Sequence, residues 1–235
     1  MAKVIILSGA GLSAQSGIST FRDSGGLWDN YDVSVVCNHD SLEKNENLTI
    51  EFYDKRRFDL KDKLPNKAHK VIADLKKRYK DDISIITQNV DNLFEKAGMH
   101  SDDVIHLHGF MTEVKCRSCE EIFDIGYKKL QEKNNGLCSK CGNKLRPNIV
   151  FFGEQAPLYE LLNYHINDCE LFVVIGTSGE VIGVNTIANF VKQSILNNLE
   201  PSSAIEDALF STVIYDKATN AIDKIEKEIE SFFQN

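Results

Sequence analysis

Two cysteine pairs carry the plainest chemistry in the chain. Cys116-Arg-Ser-Cys119 and Cys138-Ser-Lys-Cys141 are C-x-x-C knuckles with 18 residues between them. That spacing lets four thiolates close tetrahedrally on one zinc ion. A redox role would account for one such pair but not for two. With all four ligands supplied by the protein, no coordination position stays open, so the expected zinc is structural. The H-x-E and P-C-x-x-C pattern of zinc deaminases is absent. Cys37 and Cys169 stand apart and read as small buried apolar residues. The second constellation is Gly9-Ala10-Gly11-Leu12-Ser13-Ala14-Gln15-Ser16-Gly17. It opens like a G-x-G-x-x-G fingerprint, with Ala14 in place of the third glycine. Such glycines let the backbone approach a pyrophosphate, and a helix starting there adds N–H donors. A tight turn with no ligand accounts for the same residues.

The elements around these residues suit a cofactor cleft. Lys3–Ser8 is a β-branched apolar run that leads straight into Gly9, as a buried parallel strand would. Ile83–Thr87, Ile149–Phe152 and Leu171–Ile175 look alike, and each ends at polar or glycine residues. Ala68, Val71, Ile72, Leu75 and Tyr79 repeat at helical spacing, as do Ala221, Ile222, Ile225, Ile229 and Phe232. Strands alternating with helices predict an α/β fold with a Rossmann-like parallel sheet, whose ligands bind beyond the carboxyl ends of the strands. Two stretches break the alternation: Trp28–Pro65, polar and helical in pattern, and Cys116–Cys141. Both read as insertions. The expected organisation is one catalytic domain over 1–235. Its larger Rossmann-like part takes about 1–30, 66–112 and 148–235. A smaller module takes about 31–65, helical, and 113–147, a zinc ribbon.

Composition narrows the function classes. The 235 residues hold 27 Lys+Arg against 35 Asp+Glu, a net charge of −8. A general nucleic-acid binder is usually basic, so no direct nucleic-acid binding is expected. No run approaches the roughly 18 apolar residues of a membrane span. Met-Ala-Lys followed at once by an apolar strand lacks the build of a signal peptide, so a cytoplasmic location with reduced thiols is expected.

Gly9–Arg22 reads G-A-G-L-S-A-Q-S-G-I-S-T-F-R and resembles the signature of the sirtuins, the NAD-dependent protein deacylases. Further blocks match in order. Thr87-Gln88-Asn89-Val90-Asp91-Asn92-Leu93 resembles the family's T-Q-N-x-D block, and His106-Leu107-His108-Gly109 its H-G block. The four cysteines match its zinc module. Arg146-Pro147-Asn148-Ile149-Val150-Phe151-Phe152-Gly153-Glu154 resembles its substrate-binding strand. Gly176-Thr177-Ser178 and Asn198-Leu199-Glu200-Pro201 match later NAD-binding blocks.

The resemblance implies transfer of an acyl group from protein lysine to NAD, with free lysine, nicotinamide and O-acyl-ADP-ribose as products. It places the general base on His108, a side chain whose ordinary pKa suits that task. Read alone, a histidine beside a glycine is more often structural. His106 is read as structural and as facing away from His108. Asn89 and Asp91 are ordinary turn residues at a strand end; the resemblance gives them catalytic contacts and, with Gln88 and Val90, contacts to the cofactor. The remaining implied NAD contacts are Gly9, Ala10, Gly11, Ser13, Ala14, Gly17, Phe21, Arg22, Gly176, Thr177, Ser178, Asn198, Leu199, Glu200 and Ala218. The family's usual glycine is missing near Ala218. Val150, Phe151, Phe152, Gly153 and Glu154 are expected to pair with an extended acyl-lysine peptide by strand addition. The family's usual residues are also replaced at Ser19, Phe94 and Gly183.

Tyr53 and Arg56 are three residues apart and share one face of a helix. A guanidinium with a phenol suits a carboxylate; a solvated basic face with a packing tyrosine is the alternative. The sirtuin subclass that removes succinyl and malonyl groups carries Tyr-x-x-Arg here and a small alanine, matched by Ala14, in its glycine block. The chain therefore resembles a bacterial-type desuccinylase and demalonylase that also removes acetyl groups, expected as a monomer. An NAD hydrolase or mono-ADP-ribosyltransferase on the same fold is the alternative. An ordinary NAD oxidoreductase would need an acidic ribose ligand about 20 residues past the glycine loop; Asp29 and Asp32 lie near, but no second strand leads to them. A zinc-ribbon interaction module would leave the glycine loop and His108 unexplained.

Overall fold

The computed structural model describes residues 2–20 and 32–234. The expected contacts of Phe21 and Arg22, and the start of the 28–65 insertion, lie outside the described residues. The strands are β1 (Val4–Ser8), β2 (Ile83–Thr87), β3 (Val104–His106), β4 (Gly109–Cys116), β5 (Ile122–Asp124), β6 (Leu145–Ile149), β7 (Leu171–Ile175), β8 (Gln193–Asn198) and β9 (Thr212–Tyr215). The helices are α1 (Ala10–Ser13), α2 (Val33–Val36), α3 (Ser41–Lys44), α4 (Glu46–Leu60), α5 (Lys67–Tyr79), α6 (Leu93–Lys96), α7 (Tyr159–Ile166), α8 (Val184–Phe190) and α9 (Ala218–Gln234).

Six strands form one parallel sheet in the order β3-β2-β1-β7-β8-β9. Every residue of β1, β2 and β7 is buried, because helices cover both faces. Val4 and Ile6 point into one apolar layer with Ile72 and Leu75 of α5 and Ile222, Ile225 and Ile229 of α9. Ile5 and Leu7 point into the other, with Leu162 of α7 and Val184 and Ile187 of α8. Fully burying each such side chain stabilises by about 1.5–3 kcal/mol. The sheet order reverses between β1 and β7, which opens a crevice at their carboxyl ends.

The smaller module is an antiparallel sheet, β5-β4-β6, packed against α4. It has its own apolar clusters, one around Phe52, Tyr53, Met111 and Phe151 and one around Ile50, Val114, Leu130 and Leu145. α4 has no clean apolar stripe by residue type, because the side it buries mixes Ile50, Phe52, Tyr53 and Leu60 with Thr49 and Arg57. Arg57 is completely buried. Its Nε donates to the Met111 carbonyl at 2.8 Å, and its guanidinium pairs with Asp54, which ties the helix to the ribbon.

The expected helices at Ala68–Tyr79 and Ala221–Phe232 correspond to α5 and α9. The expected strands at Ile83–Thr87 and Leu171–Ile175 are β2 and β7. Ile149–Phe152 corrects the sequence reading. Ile149 closes β6 in the small antiparallel sheet, and Phe152 makes only an isolated bridge to Asn38. Its apolar residues cover Tyr53 and the module, not the parallel sheet. In the parallel sheet, β3, β8 and β9 are the strands that the apolar runs do not announce. β3 is three residues long, and β8 ends in Asn197 and Asn198, which are buried through hydrogen bonds.

Candidate active site

The glycine loop leaves β1 and crosses the turn leaving β7 so closely that side chains are shut out. A Cβ on Gly11 would stand 2.7 Å from Gly176 Cα, and one on Gly176, at φ +66°, only 2.5 Å from Leu12 N. The fingerprint here is therefore a requirement of space. Gly9 meets the same limit. Its Cβ position meets the Gly176 carbonyl at 2.7 Å, so a side chain there would run into the neighbouring turn. Asn66 anchors the loop from the other side. It caps α5 by accepting from Ala68 N, and its amide donates to Leu12 O at 2.8 Å and Ser16 Oγ at 3.1 Å. A cap of this kind stabilises by about 1 kcal/mol.

A cleft of about 1630 Å³ lies over these strand ends. Every expected cofactor residue among the described ones except Gly9 lines it: Ala10, Gly11, Ser13, Ala14, Gly17, Gln88, Asn89, Val90, Asp91, Gly176, Thr177, Ser178, Asn198, Leu199, Glu200 and Ala218. His108, Tyr53, Arg56 and Val150–Glu154 line it too. Residues that the reading missed also face it, notably Cys37 and Tyr159.

The polar groups are ordered by one another. Ser13 Oγ donates to Asp91 Oδ2 at 2.8 Å and accepts from Asn89 Nδ2 at 3.1 Å. Asn89 Nδ2 also donates to the Gly9 carbonyl at 3.0 Å. Both amide hydrogens are thus held inside the protein, leaving Asn89 Oδ1 as an acceptor. Burial pushes the Asp91 carboxyl above its ordinary value, against the bonds from Ser13 and Leu93 N. His69 lies behind Ser13, 3.4 Å from its Oγ and edge-on to Phe94. Burial lowers its pKa to about 4, so it is neutral. Phe94, a departure from the family pattern, is a buried core residue here.

Gln88 Oε1 accepts from Thr177 Oγ1 at 3.1 Å, while its Nε2 is buried with no partner among the described residues. An orphaned donor beside a glycine crossing too tight for side chains fits a bound dinucleotide, whose polar groups would meet it.

His108 Nδ1 lies 3.1 Å from the Gln88 carbonyl, and its Nε2 lies 2.9 Å from the Tyr159 hydroxyl. A carbonyl only accepts, so the proton sits on Nδ1 and the Nε2 lone pair accepts from the Tyr159 hydroxyl, which lines the cleft. Burial lowers the His108 pKa, against the pull of the Gln88 carbonyl. The ring is therefore a neutral base with a fixed tautomer. Tyr159 opens α7, a position with no sequence signal. An unbroken strand would put His106 and His108 on one face. What separates them is the turn at Leu107 and His108 that ends β3.

On the opposite wall, the Tyr53 ring stacks on Phe151 at 5.4 Å and 10°, and its hydroxyl donates to Cys37 Sγ at 3.4 Å. Burial, then the Cys37 sulfur, holds the Tyr53 hydroxyl well above its ordinary pKa, so it stays a donor. Burial lowers the Arg56 pKa while Tyr53 raises it; the guanidinium lies over the Phe52 ring at 5.6 Å. The expected peptide edge is partly engaged. Phe152 N–H donates to the Cys37 carbonyl, and His39 N–H donates to the Phe152 carbonyl. Phe151–Glu154 closes a turn in which Glu154 Oε2 accepts from Phe151 N at 2.9 Å and pairs with Arg146. Gly153 takes φ +89° there.

Away from the cleft, the sulfurs of Cys116, Cys119, Cys138 and Cys141 all lie within 4.8 Å of one another. Cys116 and Cys141 sulfurs are 3.4 Å apart, Cys119 and Cys138 sulfurs 3.7 Å. Zinc–sulfur bonds of about 2.3 Å put tetrahedral sulfurs about 3.8 Å apart, so the donor set fits one zinc ion. Ser118 N and Cys119 N donate to Cys116 Sγ, and Lys140 N to Cys138 Sγ. These bonds favour thiolates.

The Sir2 family model matches residues 9–183. The chain belongs to the Sir2 family. It is 47% identical over 236 residues to an NAD-dependent protein deacylase of Campylobacter jejuni (strain RM1221), covering all of this chain and 99% of that protein. It is 42% identical over 258 residues to an NAD-dependent protein deacylase of Helicobacter hepaticus, covering 99% of each. A solved Sir2 homologue–NAD complex is similar in fold, with a TM-score of 0.82 and 31% identity over 97% of this chain and 89% of that one. The Rossmann-like parallel sheet with a four-cysteine module is thus the Sir2 fold. Among the described residues no helix is long and apolar enough to cross a membrane.

Proposed function

We propose that this enzyme removes acidic acyl groups, succinyl and malonyl, as well as acetyl, from protein lysine. As a Sir2 family member matched along its whole length by deacylases, it is an NAD-dependent protein-lysine deacylase. Bound NAD supplies the ADP-ribose that receives the acyl group, with nicotinamide as leaving group. The observation that carries the finer reading is the placement of Tyr53 and Arg56 on one face of α4, opening into the cleft that His108 and the glycine loop also line.

A guanidinium and a phenol hydroxyl can together bind a carboxylate by charge-assisted hydrogen bonds. A thiol is a weak acceptor, so the Tyr53 hydroxyl gives up little in turning from Cys37 to a carboxylate. Gln88, Ser13 and the Asn198 turn hold the cofactor in this reading. Asn89 Oδ1 orients a water or hydroxyl, and Asp91 fixes Ser13. His108 Nε2 takes the proton from a sugar hydroxyl, with Nδ1–H kept on Gln88. A peptide strand would add at Val150–Gly153 after the turn to Glu154 opens. Cys116, Cys119, Cys138 and Cys141 would hold one structural zinc. The free thiols Cys37 and Cys169 support a reducing compartment such as the cytoplasm.

Mass spectrometry of paired acetyl- and succinyl-lysine peptides, with and without NAD, tests this. NAD-dependent loss of succinyl with formation of O-succinyl-ADP-ribose is expected. Loss of acetyl alone would refute the acidic-acyl pocket. NAD cleavage with neither peptide deacylated would favour a hydrolase or transferase.

A further inference from the structure

His106 ends β3 and is not part of the chemistry assigned above. Its Nδ1 lies 2.9 Å from the Asn89 carbonyl oxygen and its Nε2 lies 2.9 Å from Glu95 Oε1 on α6. A carbonyl oxygen and a carboxylate oxygen both accept hydrogen bonds. A neutral imidazole has one N–H and one lone pair, so in this setting one of its nitrogens would face an acceptor without a proton. An imidazolium satisfies both. We propose that His106 is a permanent cation at neutral pH and a positioning residue: it pins the Asn89–Asp91 turn against the cleft, and its deprotonation releases that turn.

The rest of the turn has its own holds: Met111 N–H donates to the Val90 carbonyl at 2.8 Å, and Asp91 accepts from Ser13 and Leu93 N. Asn89 N–H donates to Thr87 Oγ1 at 3.0 Å, and its side-chain amide holds Gly9 and Ser13. Its carbonyl is held by His106. Losing that bond frees the peptide between Asn89 and Val90, the link between the two polar side chains. The ionisable groups facing His106 are Glu95 from α6 and Asp91 from the turn itself; Phe110 of β4 packs against its ring at 4.6 Å. Burial disfavours the charge, but the Glu95 bond and charge, the Asn89 carbonyl and Asp91 together raise its pKa above the ordinary value. The charged form is therefore kept to higher pH than that of an ordinary histidine and is lost as pH rises through the raised value. The contrast with His108 is direct. Two residues on, that ring has a single acceptor partner and is neutral.

Long-range ¹H–¹⁵N correlation of the histidine rings, on labelled protein without substrate, reads the charge. One ring with both nitrogens protonated at about pH 7 is expected, absent from His106→Gln; a neutral pattern for that ring would overturn the proposal. Glu95→Gln removes the neighbouring charge and serves if His106→Gln does not fold. It should lower the ring titration by about one pH unit or more. The catalytic part rests on the deacylase reading: the alkaline limb of kcat/KM should move down with the ring, and a limb that stays while the ring moves would refute positioning. If neither peptide is deacylated, the activity reading fails separately. NAD affinity, titrated across the same pH range, then decides. Weakening as the ring deprotonates is expected, and constancy would overturn the role.

Discussion

The two walls of the cleft are built on different physics. The wall at the strand ends is made by space and backbone: Gly11 against Gly176, the Ser13–Asp91–Asn89 cluster, and the turns that leave β1, β2 and β7. The wall opposite is made by side chains on α4 and the 150–154 turn, backed by a module that a metal site and the buried Arg57 hold together. At Gly11 and Gly176 the first wall admits no side chain, since an added Cβ meets main chain. The second can change a single side chain and keep its backbone. A cofactor common to a family belongs on the first kind of wall, and a group that distinguishes substrates on the second.

That division can be broken at several points. Stripping the zinc with a strong chelator should release one ion per chain and abolish peptide turnover, because binding energy at such a site is folding energy for its module. NAD binding, followed by calorimetry, should survive; its equal loss would show that the walls are not independent. His108→Ala should lower deacylation kcat by about 10³, the scale of general-base catalysis, and leave the NAD Kd within about threefold. Arg56→Met should cut desuccinylation kcat/KM by about 10–100-fold, the worth of a charge-assisted hydrogen bond of roughly 1.5–3 kcal/mol, with deacetylation nearly unchanged. Loss of both activities together would assign Arg56 to the fold.

An effect on stability alone concerns His69, behind the cofactor wall. Its folded-state pKa of about 4 lies below the ordinary 6.5, so the unfolded chain takes up its proton first as pH falls. The group supports the fold above about pH 6.5 and loses that support on the way down to about pH 4. From about pH 7 to about pH 5 it should remove about 2 kcal/mol of stability. Urea unfolding of the wild type and His69→Phe at the two pH values checks this, the variant showing the smaller change.

The glycine crossing was legible in the residues because its constraint is local, a glycine that must be a glycine, whereas Asn89 and Asp91 read alone as ordinary turn residues and took on cofactor roles only through the family resemblance. The four-cysteine site was legible from spacing for the same reason. The peptide edge was less so. Val150–Phe152 is apolar enough for a core strand, and only tertiary contacts show that it covers Tyr53 and curls at Gly153. Tyr159 left no signal, since a tyrosine opening a short helix looks like any packing residue until its hydroxyl is found at His108. The apposition of His106 with Glu95 and Asn89 was equally hidden, because it joins three segments through the turn at Leu107. β8 was missed because its apolar run is short and its last two residues are asparagines.

Asn66 has a consequence for how the molecule breathes. Its oxygen holds the first turn of α5 while its amide hydrogens hold the glycine loop at Leu12 and Ser16. The start of that helix and the loop are joined through this side chain and again where His69 meets Ser13, so fraying of the helix removes a latch from the loop. Amide hydrogens in both should exchange with solvent in a single opening event, one cooperative unit whose protection rises together when the cleft is filled.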